Sequence, residues 1–227
     1  MFGLLIFVVY WIIVALVFYQ MWLDLDEFVS VDFDSAALNE QLDRQNLQEA
    51  IAISFKFKDC YKSEQLKTLS ITVRNQTDVR TIYVNWERCN LTDFKGISQR
   101  SVRLVPGISD LSQGQTYSLL APSQVLEAEL TIESAMKSTE SGELIVASPL
   151  FSKSSLLGAA KEEKRFTLRL VIEVAEPTVG VRVGSLHALL CHFIVRKTPK
   201  RRTMYWEGER IKKIIFLCSI IPLNMAR

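Results

Sequence analysis

Six side chains in this sequence can supply soft ligands or nucleophilic sulfur: Cys60, Cys89, Cys191 and Cys218, with His187 and His192. A zinc or copper site needs three or four such groups converging, and in sequence it is announced by close pairs of the CxxC kind. No such pair occurs here. His187 and Cys191 stand four residues apart in a run that reads as a strand, so they share one face, while His192 points to the other. A metal-handling or redox accessory protein would have to use Cys89, His187 and Cys191. It would then have one cysteine where a copper-delivering strand needs two. The simpler expectation is buried thiols behaving as small apolar groups, with satisfied histidines beside them. A Cys60–Cys89 disulfide is open to a domain in an oxidising compartment, although spacing fixes no pairing. No cofactor, no resident metal and no catalytic residue are expected.

Other chemistries find less material. The sequence has no Gly-x-Ser-x-Gly elbow, no Gly-rich phosphate loop and no His-Glu-x-x-His helix. Glu127 and Glu129 form an acidic pair, but the alternation around them turns both outward, where solvation accounts for them. Asn75-Gln76-Thr77 and Asn90-Leu91-Thr92 fit the glycosylation sequon, a triplet that also arises by chance in turns. Trp86, at the end of a strand, reads as a core ring before a ligand platform.

The elements that must position these residues are strands. Ile51, Ile53, Phe55 and Phe57 alternate with Ser54, Lys56 and Lys58, and Leu69, Ile71 and Val73 alternate with Ser70, Thr72 and Arg74. Further runs follow at Ile82-x-Val84-x-Trp86, at Val102 and Leu104 before the turn Pro106-Gly107, and at Tyr117 and Leu119. The series continues with Leu126 to Ile132, with Phe166 to Val174, and with Leu189 to Val195. About seven short strands with turn signals between them predict a mainly β fold, an antiparallel immunoglobulin-like sandwich over residues 51–199. Parallel α/β is disfavoured, because no amphipathic helix separates successive strands. Residues 36–51 read as a short stalk helix with Ser35 as cap, and residues 153–164 as a loop.

A single transmembrane helix is expected before this domain. Residues 2–23 carry no charge and are rich in Leu, Ile, Val and Phe. At about 1.5 Å per residue the run measures roughly 33 Å, against a hydrocarbon core of about 30 Å. Phe2, Trp11, Tyr19, Trp22 and Leu23 mark the anchor, with Tyr19 and Trp22 near the end where aromatic rings favour the headgroup zone. A cleavable leader fits less well. No Lys or Arg precedes Arg44, and the exit reads Gln-Met-Trp-Leu-Asp with no small-residue cleavage pattern. The segment therefore acts as a signal anchor. The absence of basic residues after it favours placing the remaining domain on the non-cytoplasmic side.

Charge is divided along the chain. The net value of +2 does not advertise nucleic-acid binding. Residues 24–50, an acidic linker and stalk, hold eight acidic residues against Arg44 alone, whereas residues 196–213 hold eight basic against two acidic. In the tail, residues 200–227, the cations are Lys200, Arg201, Arg202, Arg210, Lys212 and Lys213, followed by an apolar stretch too short to span a bilayer. This segment is expected either to touch an anionic leaflet or to be an extension without a role.

The segments 82–93 (IYVNWERCNLTD) and 190–199 (LCHFIVRKTP) resemble an uncharacterised family of single-pass membrane proteins from cyanobacteria. The likeness covers most of the chain up to Pro199. It implies a plasma or thylakoid membrane setting and carries over no catalytic residue. With the absence of enzyme motifs it leads to the expectation of a membrane-anchored, non-catalytic interaction or assembly module. Its partners would be the lipid bilayer and another membrane protein.

Overall fold

The computed structural model describes residues 2–24, 27–105, 115–140, 142–175 and 184–198. The chain divides into two compact units, residues 1–28 with 197–227, and residues 29–196.

In the first unit, helix α1 runs Phe2–Asp24, 23 residues of almost wholly apolar sequence. Its described side chains are those of residues 6–16 and Tyr19; Trp11 is 56% and Tyr19 61% exposed. A helix apolar on every side has no face that separates core from water, and the described residues up to Leu16 are exposed all round save the half-buried Val14. Among the described residues no helix is long and apolar enough to cross a membrane. The expected anchor lies in part outside them, the side chains of Phe2, Trp22 and Leu23 included.

The second unit is mainly β. Its elements in chain order are β1 (Phe28–Phe33, which begins one residue earlier), α2 (Ser35–Arg44), β2 (Ile51–Lys56), β3 (Tyr61–Lys62), β4 (Leu69–Asn75) and β5 (Thr81–Val84). There follow β6 (Asn90–Thr92), β7 (Ser98–Arg103), β8 (Ser118–Leu120), β9 (Val125–Ile132), β10 (Met136–Ser138) and β11 (Leu144–Val146). Helix α3 (Lys153–Lys161), β12 (Arg165–Ala175) and β13 (Gly184–Lys197) are the last elements among the described residues. Eleven strands form one curled sheet in the order β2-β4-β9-β7-β6-β12-β13-β1-β3, with β5 pairing β12 and β8; β10 and β11 form a separate hairpin.

The curl turns on β7. Its residues Ser98 to Arg100 pair with β6, and Ser101 to Arg103 pair with β9, so one strand serves two stretches of sheet that face different ways. On the other side β12 holds β6 at Thr167 to Arg169 and β5 at Ile172 to Ala175. Between them a 3₁₀ turn, Trp86–Arg88, interrupts what would be one long strand. The predicted alternations at β2, β4, β9, β12 and β13 all appear as strands, because one face of each is covered and the other wet.

The core gathers the inward residues of both stretches. Its centre is aromatic: the Phe193 ring lies 4.8 Å from Phe55 and Phe166, 5.5 Å from Phe33 and 5.6 Å from Phe57. Phe151 continues the chain of rings, 5.0 Å from Phe166 and 4.6 Å from Phe94. Edge-to-face and tilted pairs at these separations add to simple area burial.

Two helices differ from expectation. The predicted stalk is shorter and belongs to the body of the domain: α2 buries Leu38 and Leu42, and its cap is Asp34, whose Oδ1 accepts from Ala37 N at 3.1 Å. It ends at Asn46 in the left-handed region (φ 54), with Asn46 N donating to Asp43 O and Leu47 N to Leu42 O. That is a Schellman closure. Residues 153–161, expected as loop, form α3. Ser152 caps it, and Leu156, Ala159 and Ala160 turn one stripe into the core.

Candidate binding groove

The outward faces of β2, β4 and β9 form the floor of an open groove of about 710 Å³. Lys56, Ser70, Thr72, Glu127 and Glu129 supply that floor, and the register sets Ser70 opposite Glu129 and Thr72 opposite Glu127. Leu104, held by its N–H on Glu129 O at 2.8 Å, and Val105 border it. Residues 143–146 form the remaining wall. Sites that take small ligands and peptide segments have volumes of about 300–1,000 Å³.

The wall is informative. Glu143 and all three residues of β11 border the groove, whereas a strand face contributes only every second one. The edge of β11 is therefore what meets the groove. Thr139 N donates to Glu143 O, and Ala147 N to Ala135 O. The alternation between these two bonds directs Ile145 main-chain groups to Lys137, and turns those of Leu144 and Val146 away from β10. Among the described residues β11 pairs with β10 alone.

The electrostatics are one-sided. Among the described residues Glu127, Glu129 and Glu143 line the groove against a single cation, Lys56. Among the described residues no ion pair or side-chain hydrogen bond engages these three carboxylates. Glu127 and Glu129 are outward, as the alternation predicts, on a surface that borders a cleft with residues 143–146.

The residues singled out for metal chemistry do not converge as a set: Cys89 and Cys191 lie close enough for each to feel the other's charge, but His187 is not with them. Cys89 and Cys191 are buried thiols. Cys89 Sγ donates to Asn85 O at 3.1 Å and accepts from Val171 N at 3.4 Å. Burial pushes its pKa up to about 11, and that of Cys191 up to about 12. His187 sits four residues along β13 from Cys191, about 13 Å of extended chain. Its Nδ1 lies 2.9 Å from Gln45 Oε1 and its Nε2 2.7 Å from Ser185 Oγ, so both ring nitrogens are engaged. Among the described residues no group of three His, Cys, Asp or Glu is placed to hold a metal ion. No disulfide joins Cys60 to Cys89. Cys218 and the tail cations Lys200, Arg201, Arg202, Arg210, Lys212 and Lys213 lie outside the described residues.

Trp86 is fully buried and wears a polar collar that pattern reading missed. Its Nε1 donates to Ser118 Oγ at 2.8 Å, and the Arg103 guanidinium lies 5.8 Å over the ring while donating to the same hydroxyl at 2.7 Å. Gln115 N donates to Glu87 Oε2 at 2.9 Å, and with Arg100 beside it this holds Glu87 below the usual carboxylate range. These bonds tie the 3₁₀ turn to residues 115–118. Asn75, in the first sequon, is fully buried, and its Nδ2 donates to the carbonyls of Arg80, Leu120 and Ala121. That amide is a structural bracket and is closed to glycosylation in the folded chain.

Comparison with family models, with curated proteins and with solved structures returns no match.

Proposed function

We propose that the chain is a single-pass, membrane-anchored interaction or assembly module, without catalysis of its own, that holds another membrane protein. The observation that carries this reading is the groove: a cleft of ligand-site size in which a strand edge offers unpaired main-chain groups. Proteins that bind extended segments by adding a strand use this kind of edge, taking affinity from the main chain and selectivity from the side chains around it. The curled sheet serves as an immunoglobulin-like sandwich whose two stretches share β7, a rigid mount for such a cleft. The apolar run of residues 2–23 supplies the anchor, which puts the mount on the non-cytoplasmic side of a plasma or thylakoid membrane, as the cyanobacterial resemblance implies. The basic tail is a second, salt-sensitive contact with anionic lipid.

The test uses the full chain in its native membrane, with a photo-cross-linking residue in place of Ile145, which is 48% exposed on the groove wall. The same residue in place of Val79, 64% exposed and outside the groove lining, is the control. A discrete adduct with one membrane protein from position 145 alone, on a chain that stays in the pellet under alkaline carbonate, is the expected result. Release of the chain by carbonate, or no discrete adduct from position 145, overturns the reading.

A further inference from the structure

We infer that the groove accepts an extended segment of a partner protein with Lys or Arg at alternate positions, added as a third strand to the hairpin β10–β11. The inference rests on the module reading above and names the chemistry of the partner.

Two geometric facts converge on it. The first is the edge. Leu144 and Val146 turn their N–H and C=O groups away from β10, both residues border the groove, and a chain in extended conformation presents its own groups at the same interval. The second is the spacing of charge. Glu127 and Glu129 are two residues apart on one face of β9, which separates their Cβ atoms by about 6.8 Å. Alternate side chains of an extended segment have the same separation, so cations at positions i and i+2 match the spacing of the two carboxylates. Glu143 extends the acidic lining just before β11 begins, and among the described residues Lys56 is the one cation there to oppose it. Among the described residues the carboxylates have no ion-pair partner to give up when a cation arrives. The apolar side chain of Leu144 suits the aliphatic stem of Lys or Arg, whose charged end reaches on to the acids. An acidic segment would meet like charge in the same place, and an alternating apolar one would leave three carboxylates desolvated.

The experiment measures fluorescence anisotropy of labelled octapeptides with the full chain in neutral detergent micelles. The probes are an alternating Lys-Thr octapeptide and a Glu-Thr octapeptide. Two further Lys-Thr peptides are N-methylated, one at the odd and one at the even residues. The Lys-Thr peptide is expected to bind at least tenfold more tightly than the Glu-Thr peptide, and to lose affinity as salt is raised. Because a strand donates to its neighbour from every second residue, one N-methylated peptide should lose at least tenfold and the other should bind as the parent. The double variant Glu127→Gln, Glu129→Gln should weaken the parent peptide tenfold or more, with Glu143→Gln as a milder single variant should the double one fail to fold. Equal binding of both N-methylated peptides, binding of the folded Gln variants as tight as that of the unmutated chain, or no binding of the Lys-Thr peptide overturns the inference. An adduct from position 145 that persists alongside any of these results leaves the module reading standing, with a partner of other chemistry.

Discussion

Gln41 and Leu190, 149 residues apart, are joined by two hydrogen bonds: Gln41 Nε2 donates to Leu190 O at 2.8 Å, and Leu190 N donates to Gln41 Oε1 at 2.9 Å. A carboxamide thus stands in for the peptide group of a neighbouring strand. Gln45 Nε2 reaches Ala188 O at 3.4 Å, so two glutamines one turn apart, Gln41 on α2 and Gln45 at its C-cap, cover the edge that β13 offers beyond β1. Edges left bare invite pairing with other chains, and a helix laid along one is a familiar remedy.

Replacing Gln41 with Glu keeps the acceptor for Leu190 N–H and removes the donor, which sets a carboxylate against the Leu190 carbonyl. Gln41 Nε2 also donates to Ala37 O at 3.2 Å, so at neutral pH the variant should be less stable than the unmutated chain by about 1–2 kcal/mol, from two lost bonds and the repulsion between carboxylate and carbonyl oxygens. Protonation restores a donor. The folded state raises the pKa of the new carboxyl, so the deficit should shrink as pH falls toward about 4. Thermal unfolding of both chains in detergent at pH 7 and pH 4 gives the comparison. A deficit equal at the two pH values would show that the amide pairing is not what Gln41 contributes.

Glu163 carries a different cost. It follows the cap of α3 with φ 50, and Lys164 N donates to Ala159 O at 2.9 Å across it, the position that glycine favours. A side chain there opposes the left-handed conformation by roughly 1 kcal/mol. Its ion pair with Arg196, 3.6 Å long and largely exposed, contributes little in return. Glu163→Gly should therefore stabilise the fold by about 0.5–1 kcal/mol, whereas Glu163→Val should destabilise it by at least as much. Denaturant midpoints decide the matter, and a loss of stability in the Gly variant would refute it.

The strands that sequence reading located are those whose alternation runs for four or more residues with one face covered. β4, with Leu69, Ile71 and Val73 inward, is the clearest case. Strand β1 escaped because Asp32 and Asp34 made its surroundings look like an acidic linker. Those acids are spent on tertiary structure, Asp32 on Arg196 at 3.0 Å and Asp34 on the start of α2. Helix α3 escaped because its buried stripe, Leu156, Ala159 and Ala160, is only one turn long, with Gly158 inside it. The groove was invisible for another reason. Glu127 and Glu129 could be assigned to a face, but the wall opposite comes from residues 143–146, and no local pattern says that a three-residue strand will stand across a sheet.

The buried thiols fix how the fold responds to alkali. Cys89 and Cys191 titrate near 9.0 when solvated, and burial moves them to about 11 and about 12. Between 9.0 and those values the unfolded chain gives up protons that the folded chain keeps, so it binds fewer, and stability falls as pH rises. Below 9.0 both states hold the protons and the contribution is flat. Each thiol can steepen the decline by at most about 1.4 kcal/mol per pH unit. Tyr61, whose pKa burial also raises, adds in the same sense, so the thiols must be isolated by difference. The double variant Cys89→Ala, Cys191→Ala should start less stable at pH 8, because two filled core positions are truncated. Its stability should then decline less steeply than that of the unmutated chain between pH 9 and pH 10.5. Unfolding in denaturant at closely spaced pH values, with the difference between the two chains plotted against pH, measures this directly. A difference that stays constant across the interval would mean that the thiols are solvated or ionised in the folded chain, contrary to their place on the core faces of the 89–92 segment and β13.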